Sequence, residues 1–258
     1  MASVRGLELF ARHFAEYRDR YVLIGGVASA LTMDEAGRDF RATKDLDIVL
    51  IIEALDAQFV AHFWDFVKAG GYQIRQAGGD RPIFYRFQHP ADEAYPVQIE
   101  LFSRSPEGLD HQENSTLTPI PTDESVSSLS AILLDDAYYA FLLEGRQDNE
   151  ELSYISADRL IPLKARAWLD LSRRKQAGEK VDARNVKKHR NDVLVLSGLL
   201  TGEYIELSES VLADMQVFLT LLAKEEVNLK DLGLRGSLDD LVTRLEQSFG
   251  LEQESRDA

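Results

Sequence analysis

Asp45 and Asp47 stand one residue apart at the mouth of an apolar run, residues 48–52, and a glycine pair, Gly25-Gly26, closes an earlier one, residues 21–24. In a strand, side chains two apart share a face, so the two carboxylates point the same way. Like charges held together cost free energy unless a cation or a proton intervenes. Glycine tolerates a left-handed backbone and lets the chain approach a ligand closely. The chemistry these residues suit is a divalent-metal site beside a phosphate-binding turn.

Three readings compete for this unit. A dinucleotide-binding βαβ unit also has a glycine turn and an acid about twenty residues on. It needs further glycines, however, and Val27 and Ala30 stand where they would fall. Its acid also closes a strand, whereas Asp45 and Asp47 precede their apolar run. A calcium loop needs oxygen ligands at i, i+2 and i+4, and Val49 breaks that pattern. The metal–phosphate reading is the third and fits best.

The run Arg41-Ala-Thr-Lys-Asp45-Leu-Asp47, following Gly25-Gly26 and a short helix, resembles the signature of the DNA polymerase β-like nucleotidyltransferase superfamily. Within it, the chain is similar to the minimal bacterial branch containing the AbiEii/AbiGii-type toxins. The resemblance implies an α/β (α+β) fold, a mixed sheet flanked by helices and followed by a C-terminal helical lobe. It implies a third metal-binding acid on a later strand, a place taken by Glu100 in Val97-Gln-Ile-Glu-Leu-Phe102. Lys164 in Leu163-Lys-Ala-Arg-Ala-Trp168 and Asp192 in Lys188-His-Arg-Asn-Asp192-Val resemble the branch's C-terminal lysine and KDxxDL-like segment. The chain departs from the pattern at Val27, where many members have Ser or Thr, and at His189, where this branch often has Asp.

The activity implied by the resemblance is that of a transferase moving an NMP unit from an NTP to an RNA end, a protein or a small-molecule hydroxyl. Mg2+ or Mn2+ would be held by Asp45, Asp47 and Glu100, with Lys164 as a further catalytic group. The nucleotide would meet Gly25, Gly26, Ser29, Arg41, Lys44 and Asp192. A cognate antitoxin is the implied protein partner, and a catalytically silent binding or regulatory protein on the same fold is the alternative. Blander roles stand beside these: a solvated strand acid for Glu100, a solvated helix residue for Lys164, and a cap for Asp192. Trp168, Tyr138, Tyr139 and Phe141 read as packing.

Bulk composition narrows the rest. The 258 residues contain no cysteine, which excludes disulfides, thiolate nucleophiles and zinc–thiolate sites. The five histidines form no metal-binding pair at helical spacing. A net charge of −15 argues against a broad nucleic-acid-binding surface. The charge is uneven: residues 158–190 carry eleven Lys and Arg against four Asp and Glu, a local +7. No apolar run reaches the ~18 residues of a membrane span, and a cytoplasmic protein is the expectation.

The elements that must position these groups are read from periodicity. Residues 4–18 and 57–69 have apolar positions at helical spacing. Residues 21–24, 45–52, 72–76, 83–89 and 97–102 read as strands, with a short helix at 27–33 and a polar connection at 34–44. Residues 106–127 read as an irregular loop or edge strands, 129–134 as a strand, and the stretch through Tyr138 and Phe141 as a helix. Helices are expected at 158–177, 183–200, 208–224 and 237–249, capped or opened by Asp158, Asp182, Ser208 and Ser237. The division falls into a palm-like domain, 1–153, and a helical domain, 154–258.

Overall fold

The computed structural model describes residues 4–51, 56–77, 84–102 and 135–251. The expected loop at 106–127 and strand at 129–134 lie outside them. Contacts group the chain into two units, Met1–Asp123 with Arg146–Ser156, and Glu124–Gly145 with Ala157–Ala258.

The first unit is built on a mixed sheet. Its strands are β1 (Tyr21–Ile24), β2 (Asp45–Leu50), β3 (Gln73–Ala77), β4 (Phe84–Gln88), β5 (Gln98–Phe102), β6 (Arg146–Asp148) and β7 (Ser153–Ile155). Their order is β3-β4-β5-β2-β1-β7-β6. β2 lies at the centre, antiparallel to β1 and parallel to β5. β1 also runs parallel to β7. The last two strands are not expected from the sequence, because three-residue strands are too short to show a period.

Helices α1 (Leu7–His13), α2 (Gly25–Glu35) and α3 (Ala57–Ala69) belong to this unit. The helix expected over 4–18 ends at His13, and a 3-10 turn over Ala15–Arg20 comes next. α3 starts where Asp56 caps the Phe59 amide. Its apolar stripe of Phe59, Val60, Phe63, Trp64, Phe66 and Val67 is buried. Phe10 and Phe14 meet Phe66 at ring-centroid distances of 5.8 and 5.4 Å, and Phe63 and Trp64 meet Phe87 of β4 at 5.6 and 5.8 Å. This aromatic core also meets Tyr21 of β1, so it packs against the sheet at β1 and β4.

The second unit is helical. It comprises α4 (Asp136–Glu144), α5 (Ala157–Gln176), α6 (Ala183–Leu196), α7 (Glu209–Leu222) and α8 (Leu238–Phe249). Asp135 caps α4, Asp182 caps α6, and Ser237 with Asp240 forms a capping box on α8. Ser208 precedes α7 without a side-chain cap. Trp168 packs edge-on against Phe218 at 5.3 Å, in keeping with a core role. Tyr138 and Phe141 are buried as expected, and the Tyr138 hydroxyl donates to Asp214 Oδ2 at 2.9 Å. Among the described residues, no helix is long and apolar enough to cross a membrane.

Candidate functional site

Strand alternation sets the site. On β2, Leu46, Ile48 and Leu50 face one way, and Asp45, Asp47 and Val49 the other. On β5 the second set is Gln98, Glu100 and Phe102. The parallel register pairs Asp45 with Gln98, Asp47 with Glu100 and Val49 with Phe102. The shared face is polar at the strand starts and becomes apolar at Val49 and Phe102, which are 1% and 2% exposed. The two acids therefore sit side by side at the edge of a dry region.

Their proximity is visible in the protonation of Glu100. Burial, then the Asp47 charge, pushes its carboxyl up to about 8, against the pull of Arg86. A hydrogen bond between the two carboxyl groups accompanies the shift. The Arg86 guanidinium lies against the same carboxyl and offsets part of that effect. A group of this kind is ready to exchange its proton for a cation.

Arg86 is the residue that sequence reasoning missed. It lies on β4, directly across from Glu100 in the antiparallel register, and is 9% exposed. Its Nε donates to Glu100 Oε1 at 3.0 Å, and its Nη2 forms an ion pair with the same oxygen at 2.8 Å. Gln98 Nε2 donates to the same oxygen at 2.9 Å. The only trace in the sequence is one cation inside an aromatic strand, Phe-Tyr-Arg-Phe. Which acid it meets is a matter of register, and register is tertiary.

The glycine pair has a steric reason. Gly25 opens α2 at a φ of +65°, and a Cβ there would lie 1.8 Å from Asp47 Oδ2. A Cβ on Gly26 would lie 2.5 Å from Thr43 Oγ1 and 3.7 Å from Arg41 Nη2. The Asp47 carboxylate thus rests against the start of α2, where unpaired amides and the helix dipole favour negative charge. α2 begins at Gly25 rather than at Val27, so both glycines belong to its first turn.

The remaining expected residues are spread over both units. Asp45 is half-buried on the Asp47 face, beside Gln98. Arg41 is exposed, its guanidinium 5.2 Å from the Phe40 ring, and with Arg38 and Thr43 it lines a cleft of about 350 Å³ beside α2. Lys44 is exposed on the strand approach. Ser29 is fully buried and its hydroxyl donates to the Gly25 carbonyl at 2.7 Å, so what it positions is the first turn of α2. Lys164 and Asp192 lie in the helical unit, 5% and 2% exposed, with Nζ to Oδ2 at 2.7 Å.

As a metal site, the described residues contain no ready-made cluster of three or more acids and histidines. Asp47 and Glu100 form a hydrogen-bonded pair, and Asp45 lies two residues before Asp47, paired with Gln98. A pair is nevertheless adequate for magnesium, which takes one or two protein carboxylates and completes its shell with water and phosphate oxygens. The residues present fit such an ion.

No protein-family model matches the chain, and no curated protein matches it in sequence. Among solved structures, the chain is similar to an antigenic nucleotidyltransferase-like protein from Paracoccidioides brasiliensis. Identity is 15%, the TM-score is 0.49, and the match covers 95% of this chain and 94% of that one.

Proposed function

We propose that this protein is a metal-assisted nucleotidyltransferase, moving an NMP unit from an NTP to an acceptor hydroxyl. One observation carries the reading. Asp47 and Glu100 lie in register on parallel strands with their carboxyl groups hydrogen-bonded, and Asp47 abuts the amide end of α2. Nucleotidyl transfer depends on positioning and charge neutralisation more than on covalent help. Asp47 and Glu100, joined by Asp45, would hold Mg2+ or Mn2+, which when bound neutralises phosphate charge and aligns the attacking and leaving oxygens. The first turn of α2 offers amides to a phosphate, and Arg41 offers a guanidinium from the adjacent cleft. Glu100 would bind the ion that activates the attacking hydroxyl.

A second reading, a nucleotidyltransferase-like binding protein without activity, is favoured by the absence, among the described residues, of a metal-type cluster of three or more acids and histidines. The two readings part in one experiment. Labelled NTPs with Mg2+ should give transfer that the Asp45→Asn/Asp47→Asn double variant abolishes. Equal labelling by the variant removes the metal site. No labelling by either, with tight nucleotide binding that ignores Mg2+, selects the silent protein.

A further inference from the structure

Glu100 Oε1 accepts two hydrogen bonds, from Arg86 Nε at 3.0 Å and Gln98 Nε2 at 2.9 Å, and lies 2.8 Å from Arg86 Nη2 in an ion pair. A carboxylate has about four lone-pair sites, two on each oxygen. Oε1 has none left to give. Both donors are fixed by the sheet. Arg86 faces Glu100 across the β4–β5 ladder, and Gln98 sits two residues before it on the same face. Arg86 is 9% exposed, so its guanidinium has little room to swing away. Gln98 pairs across β2 with Asp45, which keeps its amide inside the polar end of the site.

We propose that Arg86 and Gln98 are specificity-determining positioning residues that restrict Glu100 to one oxygen, making the acidic pair selective for a small divalent cation over calcium. Calcium takes six to eight oxygens and commonly uses carboxylates through both oxygens, at ~2.3–2.6 Å. Magnesium and ions of its kind need near-octahedral order at ~2.0–2.1 Å, with single oxygens from one or two carboxylates. A Glu100 that offers a single oxygen serves the second class and fails the first. Two strands that hold the acids rigidly in register add to the penalty for an ion that needs a loose, wide shell.

This inference rests on the proposed metal site and is tested apart from activity. Mn2+ binding to the full chain is read by electron paramagnetic resonance, and Ca2+ by its competition with Mn2+. The quantity of interest is the ratio of the two dissociation constants. Both ions carry the same charge, so the lost cation and any change in proton competition cancel in that ratio. In the wild type Mn2+ should bind more tightly than Ca2+. Arg86→Met should shift the ratio about tenfold toward Ca2+, the lower end of what outer-shell groups contribute to metal sites. Gln98→Leu, which changes no charge and leaves Arg86 in place, should shift it in the same direction by a smaller factor, about threefold. Arg86→Met can weaken folding; Gln98→Leu then carries the test. A ratio unchanged in Gln98→Leu, or in both variants, overturns the inference and leaves the metal site standing. A wild type that binds no Mn2+ overturns both.

Discussion

Replacing Gly25 by alanine tests the steric core of the site. The methyl group would lie 1.8 Å from Asp47 Oδ2 and 2.8 Å from its Cγ, far inside contact distance. Two penalties add. A φ of +65° is the left-handed region, which costs an L residue ~1–2 kcal/mol. Relieving the overlap resembles overpacking, worth ~1–3 kcal/mol more. Gly37 supplies the control, because it has the same φ of +65° and nothing within 4 Å of its would-be Cβ. Gly37→Ala should therefore lose about 1–2 kcal/mol and Gly25→Ala about 2–5 kcal/mol. Urea unfolding monitored by circular dichroism gives both numbers. The part of the collision absorbed by moving Asp47 appears as weaker Mn2+ binding in Gly25→Ala alone. Equal stability losses with unchanged Mn2+ affinity would show that Asp47 does not rest against α2, and the site geometry would be wrong.

The buried charges give two further outcomes. Glu100 holds its proton up to about 8 in the folded state, against an ordinary value of 4.5, so between these values the native chain binds a proton that the unfolded chain has released. Stability should therefore fall as pH rises across that window, by at most ~1.4 kcal/mol per unit, and level off above it. Urea midpoints from about pH 5 to pH 9 should show this slope in the wild type and lose it in Glu100→Gln; parallel curves refute it. In the helical unit, Lys164→Met or Asp192→Leu alone removes one member of the buried ion pair and should cost about 3–5 kcal/mol. The double variant Lys164→Met/Asp192→Leu should recover most of that loss, and additive losses in the double-mutant cycle would deny the pairing.

Much of the site's first block is legible in the residues. Period-two alternation puts Asp45 and Asp47 on one face whatever the rest of the chain does. The glycine pair announces a special backbone, and Gly25 has one. The long amphipathic stretches give α3 and the helices from α5 onward, with Asp182 and Ser237 as caps of α6 and α8. Where expectation and structure part, the cause is local. The first helix stops at His13, α2 begins two residues early, and β6 and β7 are too short to carry a period.

The chain's own order of residues determined which groups were available: two acids one residue apart, a third on a later strand, two adjacent glycines, and no thiol. These depend on covalent spacing and on the pleat, which need no partner. Only the folded sheet decided which groups meet. The parallel β2–β5 register aligned Asp47 with Glu100, and the antiparallel β4–β5 register delivered Arg86 to the same carboxyl. A slip of one residue in either ladder turns the side chains to the opposite face. What holds each register is the burial of Leu46, Ile48, Ile99 and Phe87, all at most 1% exposed, against the rest of the core. That burial is a property of distant segments packed together, and no local stretch of sequence contains it.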